Sequence, residues 1–106
     1  MTQYHFVAAS ERFLTEEEPL EEVLRERRRN YSENGKEIDF WLVRQPAFLS
    51  APQHAELNQR IPQPAAAVVS SDPSFITFLK LRLEYVVTGQ FEAPSAEIPE
   101  PLASQL

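Results

Sequence analysis

The sequence predicts an α+β fold: a single domain in which a small sheet is flanked by α-helices. Three observations predict it. Short apolar runs alternate with amphipathic stretches, turn-forming residues separate them, and a chain of 106 residues has room for one core. Helical connections favour parallel neighbours, but strand order cannot be read from one sequence. We therefore expect a mixed or antiparallel sheet of three to four strands.

The first strand is expected over residues 4–9, whose side chains alternate between two faces. The first helix starts near Pro19, because the fixed φ of proline suits a first helical position. Thr15 and Glu18 also match a capping box, but that earlier start would put Pro19 where a helical N–H is needed. The sequence leaves both starts open.

The dipeptide Asn34-Gly35 marks the end of the first helix, since glycine is the usual C-terminal stop. The basic run R-E-R-R-R at 25–29 lies toward this end, where it complements the helix macrodipole. Arg27 is the exception, because at about 100° per residue it projects into the apolar stripe. That stripe consists of Leu20, Val23, Leu24 and Tyr31.

The second strand is expected over residues 38–44 and ends at Gln45-Pro46, because proline cannot continue a ladder. It contains a carboxylate, Asp39, within the run I-D-F-W-L-V. Alternation places Asp39 and Trp41 on one face, and a charge beside a tryptophan suits a protein-binding patch. Alternatively, Asp39 bonds to the turn after Gly35 and Trp41 is covered by a helix.

A short helix is expected between Pro52 and Pro62, and a third strand begins at Ala65. The run A-A-A-V-V-S is apolar without alternation, which predicts burial on both faces and a central position in the sheet. A third helix follows, with Asp72 as its N-cap and Pro73 in its first turn. We expect it to run to about Thr88 and to stop at Gly89.

Arg82 lies in the apolar arc of the third helix, which also contains Phe75, Ile76, Phe78, Leu79, Leu83, Val86 and Val87. A guanidinium there extends to water, pairs with a carboxylate, or belongs to a surface that another molecule covers. Asp39 is the natural candidate partner, since it too is a charge within apolar sequence.

The chain is expected to divide into an α+β domain over residues 1–91 and a C-terminal tail over residues 92–106. The tail contains three prolines, three glutamates and no basic residue. We expect it to be extended, either lying along the domain or free to meet a partner.

Catalytic and cofactor motifs are absent from the sequence. With two glycines there is no phosphate-binding loop, and there is no cysteine. His5 and His54 are the only histidines and lack the spacing of a zinc or di-iron site. We therefore expect no catalytic residue, no metal and no cofactor.

Charge and hydropathy limit the partners. A net charge of −6 argues against a nucleic-acid binder, because that affinity depends on neutralising phosphates. No apolar run approaches the about 18 residues of a membrane-spanning helix. We expect no nucleic-acid partner and no membrane span.

Two long segments carry a family resemblance. They are N-G-K-E-I-D-F-W-L-V-R-Q-P-A-F-L and P-Q-P-A-A-A-V-V-S-S-D-P-S-F-I-T-F-L-K-L-R-L-E-Y-V-V-T-G-Q-F-E-A-P, and S-E-R-F-L-T-E-E-E-P-L-E-E-V-L-R-E-R adds to them. Together they resemble the accessory subunit of the aerobic magnesium-protoporphyrin IX monomethyl ester oxidative cyclase. This is the hypothetical chloroplast reading frame fifty-four family of cyanobacteria and plastids.

The resemblance implies a non-catalytic assembly factor in chlorophyll biosynthesis, an activity that serves photosynthesis. Its expected partner is the di-iron catalytic subunit of the cyclase, with other chlorophyll-biosynthesis enzymes as further candidates. It implies a location in the plastid stroma or on the cytoplasmic side of cyanobacterial thylakoids, held at the membrane through that partner. The family's important positions map onto Asp39, Phe40 and Arg82.

Two alternative functions are therefore expected. In the first, Asp39, Phe40, Trp41, Arg44 and Arg82 contribute to a surface that docks the catalytic subunit. In the alternative, the protein is a tetrapyrrole carrier whose apolar cleft presents substrate or product to the cyclase, with His5 or His54 near the central magnesium.

Overall fold

Four strands form one antiparallel sheet in the computed structural model, which describes residues 1–18 and 20–106. They are β1 (Thr2–Ser10), β2 (Phe40–Arg44), β3 (Ala65–Ser70) and β4 (Val87–Ala93). Their spatial order is β2-β3-β1-β4, and each neighbouring pair is antiparallel. The predicted α+β class is confirmed.

The apolar run of β3 explains its place in the sheet. All six of its residues are buried, and it pairs with β1 on one side and β2 on the other. β1 is the second central strand, since it pairs with β3 and β4. The predicted central position of the third strand is confirmed.

One face of the sheet is covered by two helices, α1 (Glu21–Glu33) and α3 (Pro73–Arg82). α1 ends at Asn34-Gly35 as predicted, with Gly35 at a positive φ of 63°. The Asp72 carboxylate accepts a hydrogen bond from the Ser74 N–H, which confirms the predicted N-cap of α3. Both helices bury their apolar residues against β1, β2 and β3.

The opposite face is covered by shorter elements. Two 3₁₀ turns (Ala47–Ser50 and Pro52–His54) and α2 (Ala55–Gln59) lie here, and the last two include the predicted short helix. The C-terminal segment after β4 also lies against this face, because Ile98 is buried and Ser104 forms a bridge with Pro46. Both faces of the sheet are therefore protected from water.

Of the two starts that the sequence leaves open for the first helix, the capping box of Thr15 and Glu18 does not form. The Thr15 hydroxyl donates to the Glu11 carbonyl, and the Glu18 N–H donates to the Phe13 carbonyl within a π-helical turn, Phe13–Glu17. α1 begins after Leu20. The alternative start at Pro19 falls on a position outside the described residues.

The predicted extension of the third helix to Thr88 is also wrong. α3 ends at Arg82, Leu83 has extended backbone angles (φ −108°, ψ 130°), and Val87 begins β4. The β-branched residues Val87 and Thr88 fit a helical wheel but also suit a strand, where they pair with Ala8 and Val7 of β1. Gly89 therefore lies inside a strand and does not stop a helix.

Gly89 is required in β4 because the Phe6 ring occupies the space of a side chain. A Cβ at this position would lie 2.6 Å from Phe6 Cζ. Phe6 is fully buried, so its ring has little room to move away.

We expect Gly89→Ala to destabilise the protein by about 1–3 kcal/mol, as overpacking of a core does. Urea denaturation measures the change. Gly35→Asn is the matched control, because its site is open and asparagine tolerates a positive φ. Wild-type stability of Gly89→Ala would contradict the close packing on Phe6.

Candidate functional site

The outer face of α3 exposes large side chains that a folded chain normally buries. Phe78 is 50% exposed, Leu81 82% and Tyr85, just beyond the helix, 77%. Arg82 is exposed between them. We call Phe78, Leu81, Arg82 and Tyr85 the α3 face. Leu81 and Arg82 follow Phe78 by three and four residues, which places these three on one side of the helix, and Tyr85 lies just beyond its end.

The α3 face is distinct from the side of the helix that holds the fold. Phe75, Ile76 and Leu79 are buried against the sheet, together with Leu83 at the helix end. The arc predicted from the sequence is therefore only partly buried, since Phe78 is exposed, and Leu81 and Tyr85 of the α3 face were not predicted to belong to it. An exposed apolar face with an arginine in it is typical of a protein-binding surface.

Arg82 and Asp39 do not pair. Arg82 lies in the last turn of α3, about 14 Å along the helix from Pro73 at the start. The Asp39 carbonyl accepts from the Ser71 N–H at the opposite end of α3. Within the described residues no carboxylate forms an ion pair with Arg82, so its charge faces solvent.

Asp39 is instead held by Tyr31, which in turn contacts a second arginine, Arg27. The Tyr31 hydroxyl donates to Asp39 Oδ1 over 2.9 Å, and Arg27 Nη2 donates to the Tyr31 oxygen over 2.8 Å. Arg27 Nη2 also lies 3.1 Å from Asp72 Oδ2. The Asp39 main chain is fixed as well, since its carbonyl accepts from the Ser70 hydroxyl.

Three aromatic rings surround the Arg27 guanidinium. Its Cζ lies 3.9 Å from the ring centroid of Phe75, 5.0 Å from that of Tyr31 and 5.2 Å from that of Phe40. We call Arg27, Tyr31, Asp39, Phe40, Asp72 and Phe75 the Arg27 cluster. The position of Arg27 in the apolar stripe of α1 was a signal of this cluster, but the sequence does not identify Asp72 or Phe75 as its partners.

The five predicted docking residues lie in three different places. Asp39 is half-buried in the Arg27 cluster, and Phe40 is fully buried there. Trp41 is half-buried against Tyr4, and Arg44 is exposed with its Nε 3.5 Å from Glu11 Oε1, both on the edge strand β2. Only Arg82 belongs to the α3 face.

An apolar cleft of about 470 Å³ lies beside Tyr85, whose ring meets that of Phe13 edge-on at 6.3 Å. Its walls include Ile61, Val86 and Val87, with Arg60 also lining it. Neither histidine lines this cleft.

The two histidines are not arranged as a pair of metal ligands. His54 is buried among phenylalanine rings, with Nδ1 2.9 Å from the Phe48 carbonyl oxygen. His5 lies within β1, between its partners Ser70 and Gln90. Across residues 1–18 and 20–106, no group of three or more His, Cys, Asp or Glu side chains is arranged to hold a metal ion. None of the helices described has the length and hydropathy needed to span a bilayer.

The fold and this surface define a small α+β domain with an exposed apolar helix face. A model of the Ycf54 protein family matches residues 2–93, so the chain belongs to the Ycf54 family. It is 61% identical over 104 residues to a Ycf54-like protein of Synechocystis, covering 98% of this chain and 78% of that protein.

Two further relatives extend the comparison. The chain is 45% identical to the chloroplastic protein YCF54 of Arabidopsis thaliana, covering 97% of this chain and 47% of that longer protein. The crystal structure of the All0216 protein from Nostoc has a TM-score of 0.97 and 63% identity, covering 99% of this chain and 97% of that one. The family therefore occurs in cyanobacteria and chloroplasts.

We expect Leu81→Ser to change the free energy of unfolding by no more than about 0.5 kcal/mol, because this side chain is exposed. Leu79→Ala, two residues earlier and fully buried, should cost about 2–5 kcal/mol. Chemical denaturation of both variants checks the contrast. Equal losses of stability in the two variants would mean that Leu81 contributes to folding as much as the buried Leu79 does.

Proposed function

We propose that the protein is a non-catalytic accessory factor that binds the di-iron catalytic subunit of the magnesium-protoporphyrin IX monomethyl ester oxidative cyclase and supports its assembly in chlorophyll biosynthesis. The observation that carries the proposal is the α3 face, where Leu81 and Tyr85 are each more than three-quarters exposed. Arg82 lies beside them and forms no ion pair with a carboxylate among the described residues. Membership of the Ycf54 family supports it.

The chemistry of the α3 face suits contact with a folded protein. Phe78 and Tyr85 supply rigid aromatic area, which loses little conformational freedom on binding. Arg82 can donate two parallel hydrogen bonds to a carboxylate that the partner buries against it. The complementary surface is therefore apolar with an acidic residue.

The other predicted docking residues contribute in different ways. Asp39 and Phe40 are held inside the Arg27 cluster, so their effect on binding is indirect. Trp41 and Arg44 are proposed contacts on the β2 edge, away from the α3 face. The protein would be held at the plastid or cyanobacterial membrane, and would meet other chlorophyll-biosynthesis enzymes, through its binding to the catalytic subunit.

We expect Arg82→Ala and Leu81→Ser to reduce co-purification of the catalytic subunit by at least about fivefold each, as truncation of central interface residues does. Tagged variants are expressed with the catalytic subunit, and the amount recovered is compared at equal bait. Circular dichroism establishes that each variant is folded.

Lys80→Ala is the matched control, because Lys80 is exposed on the same helix at about 160° from Arg82. It should retain the catalytic subunit fully. Full retention of the catalytic subunit by folded Arg82→Ala and Leu81→Ser variants would contradict the proposed docking role of the α3 face.

A second candidate function is tetrapyrrole binding, favoured by the apolar cleft of about 470 Å³ beside Tyr85. Arg60 at this cleft could pair with a propionate, and the apolar walls would contact the macrocycle. Because neither histidine lines the cleft, this binding would not use a histidine on the central magnesium.

Titration with magnesium-protoporphyrin monomethyl ester separates the two functions. A carrier gives a saturable Soret shift that Arg60→Ala weakens, since the carboxylate loses its partner. For the accessory factor we expect no saturable shift. A one-to-one endpoint with wild-type protein would favour the carrier.

A further inference from the structure

Arg27 is a half-buried cation whose contacts are with other side chains of the same fold. Its side chain is 25% exposed, its guanidinium stacks 3.9 Å from the Phe75 centroid, and Nη2 bonds to both Tyr31 and Asp72. These contacts join α1 to β2 and to the start of α3. A planar guanidinium can lie flat against a ring while its N–H groups donate outward, whereas an ammonium has no plane to stack.

The Arg27 environment is not optimal for stability alone. Its Nε is buried and finds no acceptor among the described residues. A buried donor without a partner is costly, and replacing buried charged groups by apolar ones is often neutral or stabilising. Unlike a methionine, the arginine makes directional contacts that fix the relative positions of the groups around it.

Two contact paths lead from Arg27 to the α3 face. In the first, Arg27 holds Asp72, whose carboxylate caps α3 at the Ser74 N–H. In the second, Arg27 stacks on Phe75, whose ring lies 6.3 Å from that of Phe78 at an interplanar angle of 16°. Phe78 is a member of the α3 face.

We propose that Arg27 is a positioning residue for the α3 face, fixing the first turns of α3 against α1 and β2. Asp39 orients Tyr31, and Phe40 forms one wall around the guanidinium, so both act on the α3 face through Arg27. This inference rests on the proposed function only in that binding of the catalytic subunit is one of the three quantities measured.

The experiment compares Arg27→Met with Arg28→Met, an exposed neighbour on the same helix. For Arg27→Met we expect the midpoint of thermal unfolding to shift by less than about 5 °C. Amide hydrogen exchange in the first two turns of α3 should become about tenfold faster, while exchange in β3 stays unchanged. Affinity for the catalytic subunit should fall about tenfold. Arg28→Met should match wild type in all three.

Two milder variants keep the inference testable if Arg27→Met does not fold. Arg27→Lys keeps the charge near Asp72 but loses the planar stacking on Phe75, and Tyr31→Phe removes only the hydroxyl between Arg27 and Asp39. Each should give a smaller increase in α3 exchange and a smaller loss of affinity than Arg27→Met. In the double variant with Asp72→Asn, the effects should be less than additive.

The outcomes separate the two proposals. Wild-type exchange in α3 of folded Arg27→Met overturns the positioning role, as does a uniform increase over α3 and β3, which indicates general destabilisation. If wild-type protein does not bind the catalytic subunit, the proposed function fails while the exchange result still decides the role of Arg27.

Discussion

The helix layer of this protein depends on one cation enclosed by aromatic rings. α1 supplies Arg27 and Tyr31, β2 supplies Phe40, and α3 supplies Phe75. The Arg27 Cζ lies 3.9 to 5.2 Å from the three ring centroids, and Asp72 at the start of α3 balances the charge. Arg27 therefore contacts three elements that are distant in sequence and adds to the apolar packing that holds them against the sheet.

The consequence for function is a division of α3 into two sides. The buried side is fixed by the sheet and by the Arg27 cluster, so the exposed side is held in a defined orientation. A rigid apolar surface loses less freedom on association than a mobile one. The α3 face thus has the properties expected of a preformed docking surface in a member of the Ycf54 family.

Local signals in the sequence predicted most of the fold, and non-local contacts account for the rest. The apolar run of β3, the Asn34-Gly35 stop and the Asp72 cap each depend on neighbouring residues, and each was predicted correctly. β4 was missed because its strand character appears only on pairing with β1. The same distinction applies to the site residues. Arg82 was recognised from the pattern of its own helix, whereas the ion pair between Arg27 and Asp72 joins positions that no periodicity connects.

The strand order has a consequence for how the chain matures during synthesis. β1 is made first, yet His5 pairs with Ser70 on one side and with Gln90 on the other. The apolar segment around Phe6 therefore has no sheet partner until β3, about two-thirds of the way along the chain, has left the ribosome. Such long-range pairing makes folding slow and leaves an unpaired apolar strand in the interval, which chaperones recognise.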